Sequence, residues 1–228
     1  DAEVEQLRDH ILDLGVDPNL KVSAMQAAAA VEMLGRNGLD TSQILAGAAR
    51  NTILLQNATG SDFAQAADIA TDVMALFNIQ AANMETAVDG ITSVVNNSKF
   101  DITDYQYALA QAGGVASTSG VSFDDLNTTI AAIAPYFSDG SSAGAGFKTM
   151  LQRLSAPTAE MKQVMSELNL VTADGTNAFY DAEGNMRSMS EISRALHTQL
   201  SGLTEQQRTQ ALATLFGARA VNAAAGLM

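Results

Sequence analysis

Apolar residues recur along this chain at spacings of three and four. Phe63, Ala66, Ala70, Val73 and Phe77 form one such series, and Phe123, Leu126, Ile130, Ile133 and Phe137 another. Later come Ile192, Ala195, Leu196 and Leu200, then Ala211, Leu212, Leu215 and Phe216. A helix turning every 3.6 residues brings each series onto one face, so the period predicts amphipathic helices. Gly38, Gly60, Asn78, Phe100-Asp101 and Gly120 interrupt the pattern at intervals of about 20 residues, a helix-break-helix rhythm without residue-level repetition. The expected fold is all-α, a multi-helix array of helical hairpins.

Start signals support the same reading. Ser23 and Gln26, Asp40 and Gln43, Thr103 and Gln106, Ser122 and Asp125, and Thr204 and Gln207 have the spacing of a capping box. In that motif the first side chain accepts the N3 amide and the second bonds back to the cap. Ile102 with Tyr107 and Val121 with Leu126 stand where a hydrophobic staple would fix the chain at the helix start. One segment departs from the pattern. Between about 170 and 189, Ala173-Asp174-Gly175 and Glu183-Gly184-Asn185 flank Phe179-Tyr180, which predicts one small β-hairpin between helices. Helices are expected to resume at Ser190 and Thr204.

Composition narrows the class. With 228 residues and 47% hydrophobic content the chain can bury a core, yet aromatics are only 5% and tryptophan is absent. Alanine dominates instead and methionine is frequent, which favours closely packed helices. Zero cysteines exclude disulfides, thiolate metal sites and a cysteine nucleophile. Twelve Lys and Arg against 25 Asp and Glu give a net charge of −13, which repels nucleic-acid phosphates and argues against sequence-specific nucleic-acid binding. Polar residues interrupt every alanine-rich run before the roughly 18 apolar residues that a membrane-spanning helix needs. The chain starts at Asp1 and stops inside an apolar helical pattern, so both ends read as cuts in a longer protein.

Candidate chemistry is sparse. The run from Gly140 to Thr149 superficially suggests a phosphate loop, but Lys148 follows Phe147 where the Walker A motif requires glycine. Gly144, Ala145 and Gly146 read instead as small residues that let helix backbones approach or bend ahead of the Phe147, Met150, Leu151, Leu154 face. Asp124-Asp125 follow Ser122 and belong to a first helical turn, where the helix dipole favours carboxylates. The acidic turns around 174 and 181 lack the alternating ligands of a calcium loop. Neither His10 nor His197 has a second histidine at i+3 or i+4. No catalytic, metal or cofactor site is expected, and the chain is not read as an enzyme.

One stretch is more specific than its parts. GSSAGAGFKTMLQRLSAPT, residues 140 to 158, leads from small residues through Lys148 to Arg153-Leu154 and a restart at Pro157-Thr158. It resembles the core region of phage tail tape measure proteins. LLQNATGSDFAQAADIATDVMALFNI at 54 to 79, NNSKFDITDYQYALAQAGGVASTSGVSFDDLNTTIAAIA at 96 to 134, and LFGARAVNAAAGL at 215 to 227 are similar to other segments of that family, in the same order. The positions matching its motifs are Gly144, Gly146, Lys148, Arg153, Leu154, Pro157, Phe216, Gly217 and Arg219, expected to fix helix junctions.

The resemblance implies a structural protein of a tailed phage, prophage or tail-like particle. Such a protein lies along the tail lumen in several copies, sets tail length during assembly, and is released into the host envelope when DNA is delivered. Implied partners are tail tube, tail tip or baseplate proteins, tail assembly chaperones and other copies of the chain, with the host membrane a further partner after ejection. Implied locations are the virion tail lumen, the host cytoplasm during assembly and the host envelope afterwards. The alternatives are a generic helical interaction or membrane-perturbing scaffold and, behind it, a cell-wall hydrolase module. Residues 1–228 are read as one fragment of a longer tape measure protein, divisible into a helical array over 1–137 and a helix, β-hairpin and helix part over 138–228. Fully extended as helix, the chain would span about 340 Å at 1.5 Å per residue. The regular breaks predict that it folds back on itself instead.

Overall fold

Helices begin where a side chain can take the backbone N–H groups that a first turn leaves free. The computed structural model describes residues 2–171 and 177–228, and these fall into two units, Asp1–Asn96 and Asn97–Met228. The first carries α1 (Ala2–Val16), α2 (Ala24–Arg36), α3 (Thr41–Gln43), a π turn over Ile44–Ala48, α4 (Ala49–Thr59), α5 (Phe63–Phe77) and α6 (Met84–Asn97). The second carries α7 (Ile102–Thr118), α8 (Phe123–Ile133), a 3-10 turn over Ala134–Tyr136, α9 (Gly140–Ser155), α10 (Ala159–Glu167), α11 (Met189–Leu200) and α12 (Glu205–Leu227). The division expected at 137/138 falls inside the second unit, between the 3-10 turn and α9.

Reciprocal capping boxes form at Ser23–Gln26, Asp40–Gln43 and Thr204–Gln207, and Ser122 accepts from the Asp125 amide. Thr103 is a correction. Asp101 caps α7 instead, accepting from the N–H groups of Thr103 and Asp104, because a carboxylate two residues earlier reaches both donors. That register makes Ile102 the first helical residue, and Tyr107 is exposed, so the proposed staple between them does not exist. Val121 and Leu126 are both buried. Further caps at Asp62, Asp139, Thr158 and Ser188 begin α5, α9, α10 and α11.

The expected β-hairpin is also corrected. Among the described residues the region has two isolated antiparallel bridges, Val171 with Asn177 and Tyr180 with Met186, and no strand. The turn predicted at 173–175 lies outside the described residues. Around the other turn, Asp181 accepts from the Glu183 and Asn185 backbone N–H groups, and Gly184 takes φ +85. Those local bonds close a loop that carries Phe179 into the core, so pairing stops after one bridge.

In the first unit α2 packs on α1, α4 and α5. Ala27, Ala30, Leu34, Ile53, Ile69, Val73 and Ile91 are fully buried or nearly so. Polar ties hold the connections: Arg50 pairs with Asp17, Asn57 donates to the Leu20 carbonyl, and Asn37 donates to Asp68 at 2.8 Å. In the second unit α9 lies against both α7 and α12, and α12 also touches α8, α10 and α11.

The two units contain the same helical motif in different residues. Buried positions Ala66, Ala67, Ile69, Ala70, Val73 and Met74 on α5 recur 60 residues later as Leu126, Asn127, Thr129, Ile130, Ile133 and Ala134. Each series follows a positive-φ glycine, Gly60 or Gly120, and a capping residue, Asp62 or Ser122. Ahead of them, buried Ala48, Ala49, Thr52 and Ile53 correspond to buried Ala108, Leu109, Ala112 and Gly113. The helices that follow, α6 and α9, repeat buried positions at 84, 87, 88, 91 and 94 and at 140, 143, 144, 147 and 150. Few identities survive between the copies, so the repetition lies in burial and punctuation.

Candidate functional site at the glycine-bearing helix junction

Residues 140–158 do not begin as a loop. Asp139 caps a continuous helix from Gly140 to Ser155, accepting from the Ser142 amide at 2.8 Å. The glycines of α9 serve two faces. Toward α7, an ideal Cβ on Gly144 would lie 2.6 Å from the Ala108 carbonyl oxygen, and one on Gly140 would overlap the Asp104 carbonyl. The other face carries Gly146, whose Cβ would meet the Phe137 ring at 2.7 Å and the Arg219 carbonyl oxygen at 3.2 Å. Alanine or anything larger at Gly140 or Gly144 would push the α7 and α9 backbones apart, so these two helices run at a separation that glycine permits, whereas at Gly146 the nearest obstruction is the Phe137 side chain.

Arg153 closes the arrangement at the far end of α9. Its guanidinium lies against Gly217, where an ideal Cβ would be 2.9 Å from Nη2. Nη1 points to the Thr214 carbonyl at 3.5 Å and to Met161 Sδ at 3.9 Å. One half-buried side chain thus touches α9, α10 and α12. Gly217 is where α12 breaks, with φ +72 and ψ 165 inside an otherwise helical run. Its neighbour Phe216 is fully buried. The sequence reading placed Arg153 and Gly217 on separate motif segments, and the fold brings them together.

The remaining motif residues divide. Leu154 is buried in the core. Arg219 is exposed and meets Gly146 only through its backbone carbonyl. Lys148 is half-buried on α9 and takes no part in the Arg153–Gly217 contact. Pro157 stands between α9 and the Thr158 cap of α10, where a missing N–H and a fixed φ suit a helix restart. Sequence reasoning missed Asp104 and Thr214 and took Gly140 only as the start of the glycine-bearing run. The spacing of Gly140 and Gly144, four residues apart, was the available signal for a close helix contact.

A groove of about 260 Å³ opens beside the junction, lined by Val164, Leu168, Leu203, Gln207, Ala211 and Thr214 among others, with Glu167 its single charged group. It offers no pairing of nucleophile and base. Among the described residues no group of three His, Cys, Asp or Glu could hold a metal ion. His10 and His197 lie on α1 and α11, and burial lowers the His10 pKa against a smaller opposing effect of Asp13. No helix among the described residues is long and apolar enough to cross a membrane.

The chain is similar to a tape measure protein of Pneumococcus phage Dp-1, 26% identical over 226 residues that cover 99% of this chain and 19% of that protein. It is also similar to a probable tape measure protein of Escherichia phage P2, 28% identical over 229 residues that cover all of this chain and 27% of that one. The chain therefore spans about a fifth to a quarter of the length of these relatives. No solved structure matches it. A profile of the phage-related minor tail proteins matches residues 8–217, which takes in α9, Arg153 and the break at Gly217. The chain belongs to the phage-related minor tail protein family.

Proposed function

We propose that this chain is a structural segment of a tail tape measure protein, acting in tail assembly and in setting tail length. The observation that carries the reading is the match of the whole chain, end to end, to a section of two tape measure proteins from different phages. Two units of capped, closely packed helices suit a section that is structural within a longer protein. A net charge of −13 suits a lumen shared with DNA, because like charge keeps the two from adhering. Tail tube, tail tip or baseplate proteins, assembly chaperones and further copies of the chain are the partners in this account. Its locations are the tail lumen, the host cytoplasm during assembly, and the host envelope after the protein leaves with the DNA.

The test is an in-frame deletion of these 228 residues from the gene that carries them, with electron microscopy of the particles and measurement of DNA delivery. Uniformly shorter tails support a role in length. Tails of normal length with impaired delivery would move the segment's work to ejection, and particles normal in both respects would refute the proposal.

A further inference from the structure

The apolar stripe of α12 ignores the break that the structure puts in it. Leu212, Phe216, Ala220, Ala223 and Leu227 follow one another at steps of three or four, the period of one uninterrupted helix. Residues on both sides of Gly217 are helical, and Gly217 alone leaves that conformation. Its dihedrals, φ +72 and ψ 165, lie in a region essentially reserved for glycine. Rotation at one residue would therefore convert a bent α12 into a single 23-residue helix.

The bent form is held on both sides of the break. Ahead of it, Arg153 serves the Thr214 carbonyl, which an uninterrupted helix would pair with the N–H of residue 218. Beyond it, Asn222 donates to the Tyr136 carbonyl at 3.4 Å, and Gly226 sits so close to Tyr136 that a Cβ would be 2.8 Å from the ring. Buried Ala220, Ala223 and Ala224 complete that docked half. A straight α12 cannot keep both halves on their present neighbours, so straightening with the half ahead of Gly217 kept in place uncovers Ile133 at the end of α8, Tyr136 in the 3-10 turn and the Gly146 face of α9. The first unit has its own break of this kind, at Gly47 with φ +137, where Asn51 Nδ2 serves the Gly47 carbonyl at 3.0 Å.

We propose that α12 is a two-state element, bent and docked while Arg153 clasps the break at Gly217, and straight and undocked when the clasp opens. This stands independently of the tail reading, since it rests on geometry within the second unit.

The absence of cysteine makes the test direct. Spin labels on Thr209→Cys, at an exposed position, and Ala225→Cys, half-buried, neither among the contacts that hold the bent form, report the span across the break by pulsed electron paramagnetic resonance in the 228-residue chain. A straight helix separates these backbone positions by about 24 Å, and any bend brings them closer. The parent should give the shorter distance. Arg153→Met, which keeps the stem but removes the donors, should add a population at the longer distance, and Gly217→Ala, which favours helical dihedrals, should move most of the distribution there. Parent-like distances in both variants would overturn the proposal. If Gly217→Ala loses its helical circular dichroism, the Arg153→Met result decides alone.

Discussion

Asp104 and Gly140 meet twice. The Gly140 N–H donates to Asp104 Oδ1 at 2.7 Å, and the space that a Cβ on Gly140 would need is filled by the Asp104 carbonyl. One carboxylate therefore serves the first turn of α9 where it approaches the α7 backbone closely, and four residues on Gly144 passes the Ala108 carbonyl in the same way.

Substitution at these glycines should be costly because the obstruction is backbone, which cannot swing aside. Gly144→Ala is expected to destabilise the second unit by about 1–3 kcal/mol through overpacking. Gly114, on the exposed face of α7 with nothing within 4 Å of an added Cβ, provides the contrast. There alanine should stabilise by about 0.5–1 kcal/mol through helix propensity alone. Chemical denaturation of the two variants checks the opposite signs.

At Gly217 the cost has another origin. Arg153 can move away from an added Cβ, but φ +72 with ψ 165 remains, so Gly217→Ala should cost about 1–3 kcal/mol if α12 stays bent. A shift in thermal midpoint, read beside the span across α12, separates strain from relaxation.

Tyr105 donates to Asn127 Oδ1 at 2.7 Å inside the core, and burial pushes the phenol pKa well above its ordinary value. Sixty residues earlier the positions at the same offset are Leu45 and Ala67, both apolar. Tyr105→Phe should cost about 1–3 kcal/mol by leaving Asn127 Oδ1 buried without a donor. The double change Tyr105→Leu with Asn127→Ala should cost less than the sum of the two single changes. A double-mutant cycle in urea measures the coupling.

Stability should fall in two stages on acidification. Burial lowers the His10 pKa, so the unfolded chain takes up the proton first and stability begins to drop as pH falls through the ordinary histidine value of about 6.5. Asp17, Asp40, Asp139, Asp181 and Glu191 have pKa values lowered by hydrogen bonds, led respectively by the Asn19 backbone, Ser42, the Ser142 backbone, Asn185 and Ser188. Their contributions are intact above about pH 4 and are lost as pH falls through the lowered folded-state values. Asp72 opposes them, because burial and then Asp68 raise its pKa and protonation relieves that penalty. Denaturation across pH should show the upper stage vanish in His10→Gln and the lower stage persist.

Much of the fold could be read from local chemistry. Ser23, Asp40, Ser122 and Thr204 cap helices because their oxygens reach an N3 amide, a relationship contained within four residues. Thr103 misled because Asp101, with a better acceptor, stands two residues before it. The hairpin misled because turn signals report a reversal of direction and cannot tell a ladder from a loop that carries Phe179 inward. The 60-residue repetition stayed hidden since Ala67 and Asn127, or Ile69 and Thr129, fill equivalent buried places with unlike side chains.

The junction was legible only as a set of motif positions. Gly144 and Gly146 stood out as small residues, but nothing along the chain distinguishes the face toward Ala108 from the face toward Phe137. Arg153 and Gly217 are 64 positions apart, and their contact depends on α12 returning along α9.

The central claim, that this chain is part of a phage tail, is tested most directly by quantitative mass spectrometry of purified, intact particles and of their isolated tails. The account predicts peptides from residues 1–228 in both preparations, at a few copies per tail and far below the tube subunit. Their absence from purified particles, with the protein found only in the infected cell, would contradict it.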